Sequence, residues 1–129
     1  MSDAAAPRAV VIGHAGFAAG IVGAARAIAG DAAAFEALSN DDLDAAGIEG
    51  ALRDRVARGT AVIFTDLPAG STTMAARRVQ RAHPDVVVVT GTSLPLLLDF
   101  AFSDDVPAAA ARTAAERARQ AILVAGGPA

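Results

Sequence analysis

Three glycine-flanked turns carry the side chains that chemistry would use in this 129-residue chain: Gly13-His14-Ala15-Gly16, the run from Asp66 to Thr72, and Gly91-Thr92-Ser93. Neutral imidazole is a nucleophile at neutral pH, and the phosphoramidate it forms remains readily transferable, so His14 suits a phosphoryl relay. Such a histidine must present one ring nitrogen to the incoming group. A carboxylate bonded to the other nitrogen fixes the tautomer and stabilises the cationic ring that phosphorylation creates; Asp66 is the candidate. Phosphoryl oxygens also need donors. Gly70, Ser71 and Thr72 at a helix start would offer backbone N–H groups, the positive end of a helix dipole and two hydroxyls.

Each of these residues has a blander reading. A histidine after a strand is often a polar loop residue, and Asp66 equally suits a turn whose carboxylate binds local amides. Ser71 and Thr72 suit helix capping, Thr72 especially. Their coincidence on one rim of a sheet is what favours function.

The elements that would create that rim follow from the apolar pattern. Residues 8–13 form a β-branched run closing at glycine, which predicts a buried strand. Residues 17–29 predict a helix with Gly30 at its C′ position. A weaker strand signal covers residues 34–38. Ser39 and Asn40 then offer an N-cap, with Asp41, Asp42 and Asp44 in the first turn of a helix reaching about Arg58. Residues 60–66 predict the next strand, 71–83 a helix, 86–90 a strand, 94–102 an apolar helix and 108–124 a final Ala/Arg-rich helix. Continuous apolar strands alternating with helices indicate a doubly wound, mainly parallel sheet with helices on both faces. Order 2-1-3-4 would make the first and third strands neighbours and bring Asp66 to His14, where open α/β sheets bind ligands. One domain spans residues 1–129, with residues 1–7 expected to be a flexible N-terminus.

Composition removes several function classes. All 11 cationic side chains are arginine, so a catalytic lysine and a Walker A loop are impossible. The chain has no cysteine, which excludes disulfides, thiolate metal sites and cysteine nucleophiles. A net charge of −3 and the lack of Trp and Tyr argue against nucleic acid. No signal peptide is legible at the N-terminus, and no apolar run approaches a membrane span, so a cytoplasmic location is expected.

Competing motifs fail individually. The first strand is not followed by Gly-x-Gly-x-x-Gly, the dinucleotide fingerprint. A response-regulator receiver would need a strand-end lysine and an acidic pair after the first strand. The acidic run at 40–44 lacks the glycine and final glutamate of a calcium loop, with Ala45 and Ala51 in those places. Ser71 is not in Gly-x-Ser-x-Gly, which weakens a hydrolytic triad with His14 and Asp66. His83, before Pro84 at a helix end, reads as surface. No metal site and no cofactor are expected.

Residues 11–18 (Val-Ile-Gly-His-Ala-Gly-Phe-Ala), 64–72 (Phe-Thr-Asp-Leu-Pro-Ala-Gly-Ser-Thr) and 90–99 (Thr-Gly-Thr-Ser-Leu-Pro-Leu-Leu-Leu-Asp) together resemble the enzyme IIA subunits of mannose-type phosphotransferase systems, a family serving mannose, fructose, sorbose and N-acetylgalactosamine. The resemblance runs from about residue 9 to 105. It places the family's phosphorylated histidine on His14, its supporting aspartate on Asp66 and its phosphate loop on Ala69-Gly70-Ser71. Where the family usually has Gly-Gly before Ser or Thr and proline after it, this chain has Ala69, Gly70, Ser71 and Thr72; Ser93 stands where many members carry asparagine. The resemblance implies phosphorylation by the carrier protein HPr, transfer to a separate enzyme IIB partner for sugar uptake, and a homodimer, for which the helix at 94–102 is the suspected surface. Two alternatives share the fold: a phosphocarrier subunit of dihydroxyacetone kinase, and a regulatory or anion-binding module that does not relay. The segment 91–99 favours the sugar-transport branch.

Overall fold

The computed structural model describes residues 8–128, so the expected flexible segment at 1–7 lies outside the described residues. Four strands, β1 (Ala9–Gly13), β2 (Phe35–Ser39), β3 (Val62–Thr65) and β4 (Val87–Val89), pair in parallel in the order β2-β1-β3-β4. Five α-helices connect and cover them: α1 (Phe17–Ala29), α2 (Ala45–Ala57), α3 (Ser71–Ala82), α4 (Leu94–Ala101) and α5 (Pro107–Gln120), with a 3-10 turn at Gly30–Ala32.

Alternate residues of the central strands feed two cores, which is why these strands read as unbroken apolar runs. Ala9 and Val11 of β1 pack with Phe35, Val62 and Phe64 beneath α1, α4 and α5. Val10 and Ile12 point the other way, to Ile63 and to Ile48, Leu52 and Val79 of α2 and α3. Each such buried Val, Ile, Leu or Phe side chain stabilises the fold by about 1.5–3 kcal/mol. Phe35, Phe64 and Phe100 meet with ring centroids 5.2–6.0 Å apart, and the Arg8 guanidinium lies 4.7 Å over the Phe100 ring.

Two helix boundaries differ from the sequence expectation. Ser39 ends β2 and Asn40 to Asp44 form a turn, so α2 begins only at Ala45. Its N-cap is Asp44, whose carboxylate accepts from the Gly47 N–H at 2.7 Å. Asp42 adopts a left-handed φ of 62°, which a helix cannot contain. At the other end, α5 stops at Gln120 rather than continuing to Val124. Ile122, Leu123 and Val124 are 79%, 84% and 94% exposed, so among the described residues little packing stabilises another turn of helix. The apolar helix α4 directs Leu96, Leu97 and Phe100 into its own core, whereas Phe102, at its C-cap, is strongly exposed.

Parallel pairing has one further consequence. All four strands end on the same rim, which carries His14, Asn40, Asp66 and the turn at 90–93. No helix among the described residues is long and apolar enough to cross a membrane.

Candidate active site

His14 and Asp66 each follow the last residue of a strand, and β1 and β3 are paired in the register Ile12↔Thr65. The two side chains therefore leave adjacent strands at nearly the same height. Here the strand order also reverses, since β2 lies on one side of β1 and β3 on the other.

The ring nitrogen Nδ1 of His14 is 2.7 Å from Asp66 Oδ2, and the His14 backbone N–H donates to that same oxygen at 2.9 Å. A carboxylate only accepts, so Nδ1 carries the ring proton and Nε2 keeps its lone pair. The His14 side chain is 44% exposed whereas that of Asp66 is 9% exposed, so the ring is anchored on its protein side and open on the other. Thr72 Oγ1 donates to Asp66 Oδ1 at 3.0 Å, and both carboxylate oxygens are thereby engaged. Burial by itself would raise the Asp66 pKa. The hydrogen bonds from the His14 ring, the His14 backbone and Thr72 outweigh it and hold the carboxyl below its ordinary value.

Two glycines make this approach possible. A Cβ on Gly13 would sit 2.7 Å from Phe17 Cδ2 and 3.1 Å from both Cγ and Oδ2 of Asp66. Gly70, the N-cap of α3, has φ 111° and ψ 175°, a conformation essentially reserved to glycine. A Cβ there would lie 3.8 Å from His14 Cε1, so the start of α3 runs beside the imidazole. The first N–H groups of a helix have no partners within it, and they open here next to the histidine.

The segment Gly70-Ser71-Thr72 thus divides its tasks. Ser71 is exposed at the first position of α3. Thr72, read from sequence as a helix cap or phosphate ligand, is fully buried with its hydroxyl turned onto Asp66. Thr72 stands where the family usually has proline, and no sequence pattern foretold its contact with the carboxylate. Ala69 does not have a positive φ, so alanine fits where glycine is usual. Ser93 caps α4 by accepting from Leu96 N–H at 3.4 Å, as asparagine also can. Thr92 Oγ1 donates to Thr65 O at 2.7 Å, tying the turn after β4 to the end of β3.

Ser71 makes no hydrogen bond with His14, so no serine–histidine pair is assembled among the described residues. His83 lies at the far end of α3, away from this rim. Among the described residues no group of three or more His, Cys, Asp or Glu is placed to hold a metal ion. A groove of about 450 Å³ runs between β4 and α5 and does not include His14. The histidine stands on an open rim, a position suited to contact with another macromolecule.

Fold and site together define a class: a doubly wound parallel α/β domain bearing a carboxylate-supported histidine at its switch point. The family model described as "PTS system fructose IIA component" (EIIA-man) matches residues 8–116, and the chain belongs to this family. Membership implies a phosphocarrier role in a sugar phosphotransferase system. Among solved structures, the chain is similar to the mannose/sorbose-specific IIA subunit of the phosphotransferase system from Enterococcus faecalis. The two share 19% identity over 95% of this chain and 97% of that one, with a TM-score of 0.79. It is also similar to the IIA protein associated with the fucose utilization operon of Streptococcus pneumoniae (20% identity, 90% of each chain, TM-score 0.76). A third is the phosphotransferase component EIIA of Streptococcus agalactiae (17% identity, 86% of this chain, 93% of that one, TM-score 0.72). At these identities the structural likeness speaks for the fold. No curated protein sequence matches the chain significantly.

Proposed function

We propose that His14 is the residue that carries the phosphoryl group, accepting it from phospho-HPr and passing it to an enzyme IIB partner in the cytoplasm for sugar uptake. The observation that carries this reading is the 2.7 Å bond from Nδ1 to Asp66, which leaves Nε2 of the half-exposed ring as the free nucleophile. Nε2 attacks phosphorus as the donor's bond to it breaks, and the proton stays on Nδ1. The ring becomes cationic, and the Asp66 carboxylate faces that charge. The N–H groups at the start of α3, with Gly70 and the exposed Ser71, are placed to meet the phosphoryl oxygens. Thr72 acts indirectly, by fixing the carboxylate. The reverse reaction with the IIB partner uses the same groups. Oligomeric state belongs to the same reading: a homodimer, to be checked by sedimentation equilibrium of the full chain.

Labelled phosphate from phosphoenolpyruvate, supplied through enzyme I and HPr, tests the assignment. The expected label is acid-labile, base-stable and absent in His14→Ala. Label retained by that variant, or none on wild type beside a charged HPr, overturns it. Passage of label to a IIB partner separates a relay from a sensor, and passage to a dihydroxyacetone kinase subunit instead would assign the chain to that branch.

A further inference from the structure

The loop that follows β2 reaches across the rim to the histidine. Ala15, immediately after His14, has a left-handed φ of 48° although it is not glycine. That conformation costs an L-residue about 1–2 kcal/mol, so surrounding contacts must hold it. Both polar groups of Ala15 are taken by consecutive residues of β2 and its loop. Its N–H donates to Asn40 Oδ1 at 3.3 Å, and its carbonyl accepts from Ser39 Oγ at 3.1 Å. The backbone closes the same join: Gly13 pairs with Ser39 in register, and Asn40 N–H donates to Gly13 O at 3.2 Å. Ser39 Oγ also accepts from Asp41 N–H at 3.0 Å, which fixes the hydroxyl that holds Ala15.

Neither side chain caps the helix that follows, the role their sequence position suggests. The helix they precede is capped by Asp44. We propose that Ser39 and Asn40 are positioning residues for His14: they hold Ala15 left-handed and so set the direction in which the imidazole leaves β1. The histidine is then gripped from both flanking strands, with its ring bonded to Asp66 after β3 and the following residue bonded after β2. Asp66 fixes Nδ1 and the Phe17 N–H ties the His14 carbonyl at 3.0 Å, but neither holds the left-handed turn at Ala15. The second grip holds that turn and keeps the ring beside the start of α3. This inference rests on the reading of His14 as the phosphoryl acceptor.

The test uses the full chain with phosphoramidate, a small donor that needs neither HPr nor a IIB protein, so partner choice does not enter the readout. Long-range proton–nitrogen spectra of the His14 ring report tautomer and order without any phosphorylation. In Asn40→Ala and Ser39→Ala, labelling is expected to fall about tenfold, and the ring signals to depart from those of a single Nδ1–H tautomer. Adding Ala15→Gly to Asn40→Ala should restore part of the rate, because glycine adopts the left-handed conformation unaided. Asp44→Ala, in the same loop, lowers the melting temperature through lost capping and should leave labelling unchanged. Wild-type labelling and ring spectra in both Asn40→Ala and Ser39→Ala overturn the proposal. Equal losses in Asp44→Ala and Asn40→Ala also overturn it, since the effect would then be loop stability alone.

Discussion

At the scale of single residues, the site depends on how Asp66 divides two oxygens among three donors. Oδ2 takes the ring and backbone N–H of His14, and Oδ1 takes the Thr72 hydroxyl. In Asp66→Asn the amide can turn its NH2 toward Nδ1, which forces the ring proton onto Nε2 and removes the nucleophilic lone pair. A hydrogen bond to a charged group is worth about 1.5–3 kcal/mol, so single-turnover labelling should slow about 10–100-fold. Wild-type rates would refute that role. Thr72→Val leaves Nδ1 bonded and strips one oxygen of its donor. Its labelling should slow by less than Asp66→Asn does, while the Asp66 carboxyl, followed by carbon NMR, titrates closer to its ordinary value.

Elements set the positions that those residues then refine. The start of α3 lies against the imidazole because Gly70 turns the chain through φ 111°, ψ 175°. Gly70→Ala should cost about 1–3 kcal/mol of stability, read by denaturant midpoint, and should also slow labelling as the helix start moves away. A stability loss with normal labelling would separate the turn from the site. Ser39 and Asn40 show why boundaries are harder to read than elements. A serine and an asparagine before an acidic turn are the ordinary signature of a helix start. The decision fell to Asp42, whose left-handed φ of 62° delays α2 and releases both side chains toward Ala15. No local pattern distinguishes a cap for the next helix from a clamp on a neighbouring strand.

For the whole molecule, the two cores on either face of β1 and β3 hold the rim in shape. Phe64 is fully buried between Phe35 and Phe100. Phe64→Ala should lower unfolding free energy by about 3–5 kcal/mol in denaturant titration, without touching the histidine directly. The depressed pKa of Asp66 also links the site to global stability. Its folded value lies below its unfolded one, near the ordinary 3.8, so its contribution is fully present above the unfolded value and is lost as pH falls through the folded one. The stability difference between wild type and Asp66→Asn should hold steady above about pH 5 and shrink below about pH 4. A difference that persists unchanged to lower pH would contradict this linkage.

The alternation of mainly apolar strands with helices was readable from residue types alone, because central strands covered on both faces read as near-continuous apolar runs. The same reading placed His14, Asp66 and Gly70-Ser71-Thr72 at strand and helix ends, and their motifs pointed to the enzyme IIA family. Which polar atoms bond to which was decided only by tertiary structure. His14 and Asp66 are 52 positions apart and Ala15 and Asn40 are 25 apart. Their meeting depends on strand order and register, and a hydroxyl or amide in a loop takes whichever partner the assembled rim brings within about 3 Å.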